Sequence, residues 1–287
     1  MTRRTLLLGL SAMPAGIAAA LRALEAKAGG RLGVCALDTG TGRQVGHRMD
    51  ERFAMCSTFK LPLAAVILRE AEQGRLKLDE ILPYTKADLL TVSPVTGPHV
   101  AEGGMTVVAL AEGTQKTSDN TAANLLLKRL GGPAGFTRIL RSVGDGVTRV
   151  DRTEPAMNLV RPGEVWDTTT PRAMAATMAQ FLTGSLLGRA SQARLVEWMV
   201  ATQTGTKRIR AGLPAGWRAG DKTGTAWDMA EGVTDKYNDV AIIWPPGRKP
   251  LLVTAYFDTV RISPEMRDED QAVLAEVGQI VAGWVAG

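Results

Sequence analysis

Strand-like sequence occurs only at the two ends of this chain, with a long helical stretch between, and that distribution constrains the fold more than any other feature. Residues 31–38 read as a strand, Thr39-Gly40-Thr41-Gly42 as a turn and residues 43–47 as the returning strand. From Ser57 to Thr204-Gly205 the pattern is helical, with segments such as 61–73 before Gly74, 120–130 before Gly131, and Thr170-Pro171 through Thr183 before Gly184. Strand character returns at 217–225, 240–244 and 251–257, broken by short segments such as Pro245-Pro246-Gly247, and 265–285 is a long amphipathic helix. Spacing this close suits antiparallel hairpins. The expected fold is α/β plus all-α: the chain ends build one antiparallel five-stranded sheet flanked by helices (21–56 with 205–287), and a helical subdomain (57–204) is inserted between them.

The N-terminus has a different character. Arg3 and Arg4 precede an apolar run over 6–10, and small residues through Ala18, Ala19 and Ala20 follow. That order reads as a signal peptide over 1–20, and Thr2-Arg3-Arg4 points to the twin-arginine route and a periplasmic protein. The run is too short to span a bilayer, and the rest of the chain holds no transmembrane segment. A helix over 21–28, closed by Gly29-Gly30, should open the mature chain.

Formal net charge is +5, and losing Arg3 and Arg4 would leave +3. The basic residues are scattered and aromatic content is only 5%, so the phosphate tracks and stacking platforms of nucleic-acid binders are missing. The expected partner is a small molecule, acted on by a monomer. Cys35, Cys56, His47 and His99 form no cluster at zinc-ligand spacing, so no metal or other cofactor is expected, and the two thiols should be buried and unpaired.

Three short patterns carry chemistry. Ser57 and Lys60, in Cys56-Ser57-Thr58-Phe59-Lys60, stand three apart at the entry to an apolar helix and so share one face. The free N–H groups and dipole of a helix N-terminus favour negative charge on a nearby oxygen. Ser118-Asp119-Asn120 opens another helix, where all three residues are good N-caps. The alternative reading gives Ser118 a proton-relay role and Asn120 a hydrogen bond to substrate. Lys222-Thr223-Gly224-Thr225 ends a strand; the Gly permits close approach, and the ammonium and hydroxyls suit a carboxylate.

In this order, S-x-x-K, S-D-N and K-T-G resemble the motif set of class A β-lactamases and penicillin-binding proteins. The similarity runs through the mature chain, including Ser93-Pro94-Val95, Gly104-Met105-Thr106-Val107 and Trp217. Arg152 to Asn158 resembles the Ω-loop of class A enzymes, in which Glu154 and Asn158 would hold a water over the acyl ester, and Asp167 matches the ion-pair partner closing the loop's neck at 152–167. The resemblance implies Ser57 as nucleophile, Lys60, Ser118 and Glu154 as further catalytic groups, and Asn120, Asn158, Lys222, Thr223, Gly224, Thr225 and Arg208 as substrate-binding residues. It also implies an oxyanion hole from the N–H groups of Ser57 and Thr225, and direct pairing of Arg208 with the substrate carboxylate. Arg210 should be structural or exposed. No histidine lies near any motif, so the base is Lys60 or Glu154, and sequence leaves that choice open.

The implied activity is hydrolysis of penicillin- and cephalosporin-type antibiotics, conferring resistance; the alternatives are a penicillin-binding D,D-peptidase or a β-lactam sensor domain. Departures from the family border the site. Val92 replaces a common aromatic gate, Ala226-Trp227 stands where small residues or Gly are usual, and the stretch before Asn238-Asp239 is longer. Cys56 precedes the nucleophile as in some carbapenem-hydrolysing members, but its disulfide partner's place is Ala226, so substrate spectrum is left open.

Overall fold

The computed structural model describes residues 15–227 and 229–286. In chain order the elements are α1 (Ala15–Ala28), β1 (Arg31–Asp38), β2 (Gln44–His47), β3 (Phe53–Ala54), α2 (Lys60–Glu72), β4 (Ile81–Pro83), β5 (Gly104–Thr106), α3 (Val107–Thr117), α4 (Asn120–Arg129), α5 (Gly132–Ser142), β6 (Thr168–Thr169), α6 (Pro171–Leu182), α7 (Arg189–Val200), β7 (Arg218–Ala226), β8 (Lys236–Trp244), β9 (Leu251–Asp258) and α8 (Asp268–Ala286).

Five strands form one sheet in the order β2-β1-β9-β8-β7, antiparallel throughout, as the end-weighted strand pattern predicts. The two chain ends meet where β1 pairs along β9, from Arg31 opposite Asp258 to Asp38 opposite Leu251. Alternate residues serve two cores. On β8, Ala241 and Ile243 join α1 and α8, whereas Val240 and Ile242 face the helical region. At the centre of that region α2 is apolar on nearly all sides and buried from Lys60 through Leu68, as a helix hydrophobic all round must be.

Two boundaries differ most from the sequence reading. Strand β8 begins at Lys236, four residues early, because the polar pair Asn238-Asp239 finds buried partners: Asn238 Nδ2 donates to the Ala54 and Met55 carbonyls and Asp239 Oδ2 accepts from Ile209 N–H. Helix α1 begins at Ala15 rather than Leu21. Ile17 is only 5% exposed and shares a core cluster with Leu21 and Val281, so cutting after Ala20 would remove part of that core. The Arg3-Arg4 and apolar-run portion of the expected leader lies outside the described residues. Among the described residues, no helix is long and apolar enough to cross a membrane.

Helix α1 is held by Glu25, which accepts from Arg48 Nε at 2.7 Å, Arg48 Nη2 at 2.9 Å and Leu32 N–H at 2.9 Å. Burial pushes its carboxyl up, but these bonds outweigh it and hold the pKa at about 2. Since the folded value lies below the unfolded one, Glu25 stabilises the fold above about pH 4.3, and that contribution is lost as pH falls toward 2. Glu25→Gln should therefore cost about 1–2 kcal/mol at pH 7, less than the full shift implies because solvent screens the pair. Urea titrations should show the difference from wild type shrinking progressively below about pH 4.5; an unchanged difference at pH 2 would exclude the linkage.

Candidate active site

Ser57 stands in the single 3-10 turn Cys56–Phe59, which runs straight into α2. Cys56 holds φ at +45°, a conformation that costs a residue with a Cβ roughly 1–2 kcal/mol and is found where surrounding structure enforces it. Strand β7 enforces it from outside. A Cβ on Gly224 would lie 2.6 Å from the Met55 carbonyl oxygen and 3.1 Å from the Ser57 nitrogen, so only glycine lets the strand lie against the turn.

One turn along, Lys60 is fully buried and its ammonium lies 2.8 Å from Ser57 Oγ, 2.9 Å from the Ser118 carbonyl, 3.3 Å from Ser118 Oγ and 3.1 Å from Glu154 Oε1, with Asn120 Oδ1 also accepting. Burial lowers its pKa, and Glu154 opposes that shift. Ser118 has φ +64° at the end of α3, so the chain turns sharply into α4. The cap of α4 is Asp119, whose Oδ1 accepts from Ala122 N–H at 2.8 Å; Ser118 and Asn120 are left free to face Lys60. The capping reading of S-D-N thus falls on Asp119, while Ser118 and Asn120 contact Lys60.

Lys222 arrives from β7 and donates to Ser118 Oγ at 3.0 Å and to the Thr223 carbonyl at 2.8 Å. Burial, and then the neighbouring Lys60 charge, push its pKa well down. Ser118 Oγ is therefore shared by two lysines. Thr223 Oγ1 lies 2.6 Å from Thr204 Oγ1.

Glu154 closes the arrangement from the 152–167 segment. Its Oε1 accepts from Ser57 Oγ at 3.2 Å and its Oε2 from Asn158 Nδ2 at 2.7 Å, while Asn158 Oδ1 is buried without a partner. Asn124, which the sequence reading missed, grips the Glu154 backbone on both sides: Nδ2 donates to its carbonyl at 2.9 Å and Oδ1 accepts its N–H at 3.0 Å. The signal was present as Asn120 and Asn124, four apart on one face of α4.

The neck of the segment is tied as the sequence reading expected. Arg152 Nε donates to Asp167 Oδ2 at 2.6 Å, and Asp167 Oδ1 also takes the N–H groups of Asp151 (2.7 Å) and Arg152 (3.0 Å). Arg152 further reaches the Leu159 carbonyl at 3.0 Å. Asp167 is fully buried with φ +57°, so an arginine at 167 cannot reproduce its two backbone contacts, and the restored activity that a charge swap suggests from sequence alone is not expected. Arg152→Ala should loosen the segment and lower kcat about tenfold through slower deacylation. Stopped-flow traces should show acyl-enzyme accumulating, and hydrogen exchange over 152–167 should rise; unchanged exchange would dismiss the tie.

Arg208, for which the resemblance implies a direct carboxylate contact, lines the same cavity but is already heavily hydrogen-bonded. It is 1% exposed, and all its N–H groups are engaged: Nε with Gln271 Oε1 (3.3 Å), Nη1 with the Gly224 (3.0 Å) and Asn238 (2.7 Å) carbonyls, and Nη2 with Thr225 Oγ1 (2.6 Å) and Met266 Sδ (3.5 Å). It bridges β7 and β8 and orients the Thr225 hydroxyl, whose own proton is left for a ligand. Arg208→Ala should reduce kcat/KM about ten- to a hundredfold, chiefly through KM, and also lower Tm, because two buried carbonyls lose their donor. If Thr225→Val loses as much kcat/KM without the fall in Tm, the route through Thr225 holds; a silent Thr225→Val would mean direct contact. Arg210 is structural, donating to Asp221 Oδ2 and the Thr202 carbonyl, both at 2.7 Å.

These groups line a cavity of about 360 Å³ that includes Ser57, Ser118, Asn120, Glu154, Asn158, Arg208, Thr223 and Thr225, with Val92, Trp227 and Met266 exposed at its rim. Both cysteines are free, and burial pushes each thiol up to about 12. Among the described residues no group of three or more His, Cys, Asp or Glu side chains could hold a metal ion.

Known proteins share this arrangement of chain. A family model described as "Beta-lactamase enzyme family" matches residues 16–285. The chain is 48% identical to beta-lactamase L2 of Stenotrophomonas maltophilia over 90% of this chain and 82% of that protein, and 44% identical to beta-lactamase CTX-M-8 of Citrobacter amalonaticus over 91% and 86%. Among solved structures, it is similar to an ancestral (GNCA) class A beta-lactamase at 53% identity and TM-score 0.87, over 93% of this chain and 99% of that one. A beta lactamase from Burkholderia vietnamiensis gives 46% identity and TM-score 0.89, over 97% and 99%. With motif order, sheet topology and whole-chain similarity in agreement, the chain belongs to the class A β-lactamase family.

Proposed function

We propose that the chain hydrolyses the β-lactam amide bond of penicillin- and cephalosporin-type antibiotics through an acyl-enzyme on Ser57, and so confers resistance. One observation carries the reading: Ser57 Oγ sits 2.8 Å from Lys60 Nζ and 3.2 Å from Glu154 Oε1, while Asn158 holds the other oxygen of the same carboxylate. The nucleophile thus has two candidate bases, and one of them is aligned for a second task.

In acylation Ser57 Oγ attacks the lactam carbonyl, and its proton passes to Glu154 or to a neutral Lys60. The oxyanion is received by the N–H groups of Ser57 and Thr225. As the C–N bond breaks, the ring nitrogen takes the Ser118 hydroxyl proton, which Lys222 or Lys60 replaces. The substrate carboxylate rests against Lys222, Thr223 and the Thr225 hydroxyl, and Asn120 hydrogen-bonds the acyl amide. Proton transfer across the 3.1 Å Glu154–Lys60 contact then restores the carboxylate and the ammonium; in deacylation Glu154 takes a proton from a water that also donates to the orphan Asn158 Oδ1, the resulting hydroxide attacks the ester, Oγ leaves with a proton from Lys60, and Glu154 returns its proton to Lys60.

Residues 152–167 act as the Ω-loop. The N-terminal leader directs export by the twin-arginine route to the periplasm, with removal upstream of Ile17 so that α1 keeps its core contacts. The mature enzyme works as a monomer without metal or organic cofactor. The experiment is a steady-state panel of penicillins and cephalosporins on purified protein. Sustained turnover supports the reading; a halt after one equivalent, with the adduct stable on Ser57, would favour a sensor, and release of D-alanine from cell-wall peptides alone would favour a D,D-peptidase.

A further inference from the structure

A second cavity, of about 610 Å³, lies on the far side of the 152–167 segment from Ser57, between that segment and the β8–β9 end of the sheet. Its volume is in the range that holds a drug-sized ligand. Its lining carries three cations, Lys236, Arg52 and Arg161, that form no ion pair among the described residues. Lys236 lines it at 3% exposure, and among the described residues its ammonium donates to one acceptor, the Thr234 carbonyl at 2.7 Å. Arg52 gives its N–H groups to neutral acceptors, the Val147 carbonyl at 3.2 Å and Thr168 Oγ1 at 2.9 Å. Arg161, exposed on the wall formed by the segment, has no side-chain hydrogen bond or ion pair among the described residues.

Of the three carboxylates in the same cavity, two are paired with Arg31 and the third accepts a backbone N–H. Arg31 takes Asp258 Oδ2 at 2.8 Å and Glu51 Oε2 at 3.3 Å, and Glu164 Oε2 accepts from Arg161 N–H at 3.0 Å. The remaining Asp258 oxygen is sealed from solvent. A buried ammonium with spare donors, in a cavity lined by two further cations that form no ion pair among the described residues, is a strong site for a charge-assisted bond to an anion. The walls are apolar: Val160 and Val165 from the segment, Ala54 and Val260 opposite. Val160 also packs with Cys56 and Ala226 behind the nucleophile's turn.

The geometry points to a binding site for an amphipathic monocarboxylate, whose carboxylate bridges Lys236 and Arg161 and whose apolar body lies along Val160 and Val165. Such a ligand ties the segment that carries Glu154 to the sheet. It is a site distinct from the one that takes the substrate carboxylate at Lys222.

Isothermal titration with 4-phenylbutyrate tests this, with the neutral 4-phenylbutyramide as control. A probe this small should bind in about the millimolar range, and the amide about ten- to a hundredfold more weakly. Lys236→Met and Arg161→Glu should each weaken the acid by about tenfold or more, Lys222→Ala should leave it unchanged, and hydrogen exchange over 160–168 should slow on binding. Arg161 is exposed, so its variant keeps the test open if Lys236→Met folds poorly. Equal affinity for acid and amide, no binding even at tens of millimolar (about tenfold above the expected Kd), or loss of binding in Lys222→Ala with none in the other two variants would overturn the proposal.

Discussion

Glu154→Ala is expected to acylate once and then stall. The ester on Ser57 is buried beneath the opened lactam, and unassisted water attacks it slowly, whereas a positioned carboxylate base contributes about 10²–10⁴-fold. With a good penicillin, wild type should turn over steadily and the variant should give a single burst, with mass spectrometry finding the adduct on the peptide that contains Ser57. Ser57→Ala should carry none. The burst itself is informative, because Glu154 Oε1 is within 3.2 Å of Ser57 Oγ as well as 3.1 Å of Lys60 Nζ. If the burst stays fast, Lys60 serves as the acylation base; if it slows by a similar factor, Glu154 serves both steps. Removing one member of a buried ion pair also costs stability, on the order of 3–5 kcal/mol. Glu154→Gln, which can keep the Asn158 contact, separates that cost from the chemistry. Rapid release of product by both variants would remove Glu154 from deacylation.

The second large effect is expected at Lys60. Among the described residues it is the only group in contact with Ser57 Oγ, Ser118 Oγ, Asn120 and Glu154 together, so Lys60→Met should slow acylation by about 10²–10⁴-fold. Lys60→Arg distinguishes the reasons. An arginine keeps the charge but cannot act as a neutral base near pH 7, so rescue would mean an electrostatic role and failure would mean proton transfer. The pH profile gives an independent readout. Burial holds the Lys60 pKa below its ordinary value, so if the neutral amine is the base, the single-turnover acylation rate of wild type should climb with pH across that lowered pKa. The climb should vanish in Lys60→Met. A flat wild-type profile, together with a fast Lys60→Met burst, would assign the base to Glu154.

Much of this protein was legible because it is local. Ser57 and Lys60 share a helix face by spacing alone, the Ser118-Asp119-Asn120 triplet marks a helix start, and Gly224 marks a close approach, so three patterns in order were enough to name the family. The end-weighted strands were likewise enough to demand a sheet assembled from both termini. Periodicity failed where a polar residue is satisfied by something distant: Asn238 and Asp239 looked like the edge of a strand, but partners at Ala54, Met55 and Ile209 allow β8 to run through them. The same limit hid Asn124, whose two bonds go to a residue 30 positions away, and it hid the partners of Arg208, two carbonyls and a hydroxyl that no spacing rule connects to it.

The sequence by itself determined the family, through three motifs in order, and most of the helix and strand pattern, since those follow from short spacings, backbone periodicity and capping over a few residues. Tertiary structure alone decided their electrostatics. Ser57 and Glu154 are 97 residues apart and touch only because Asn124 and the Arg152–Asp167 tie hold one segment against the nucleophile's turn. Lys60 and Lys222 are ordinary lysines in the sequence, and their lowered pKa values come from burial in a shared site, a property of the folded interior that no stretch of chain possesses alone.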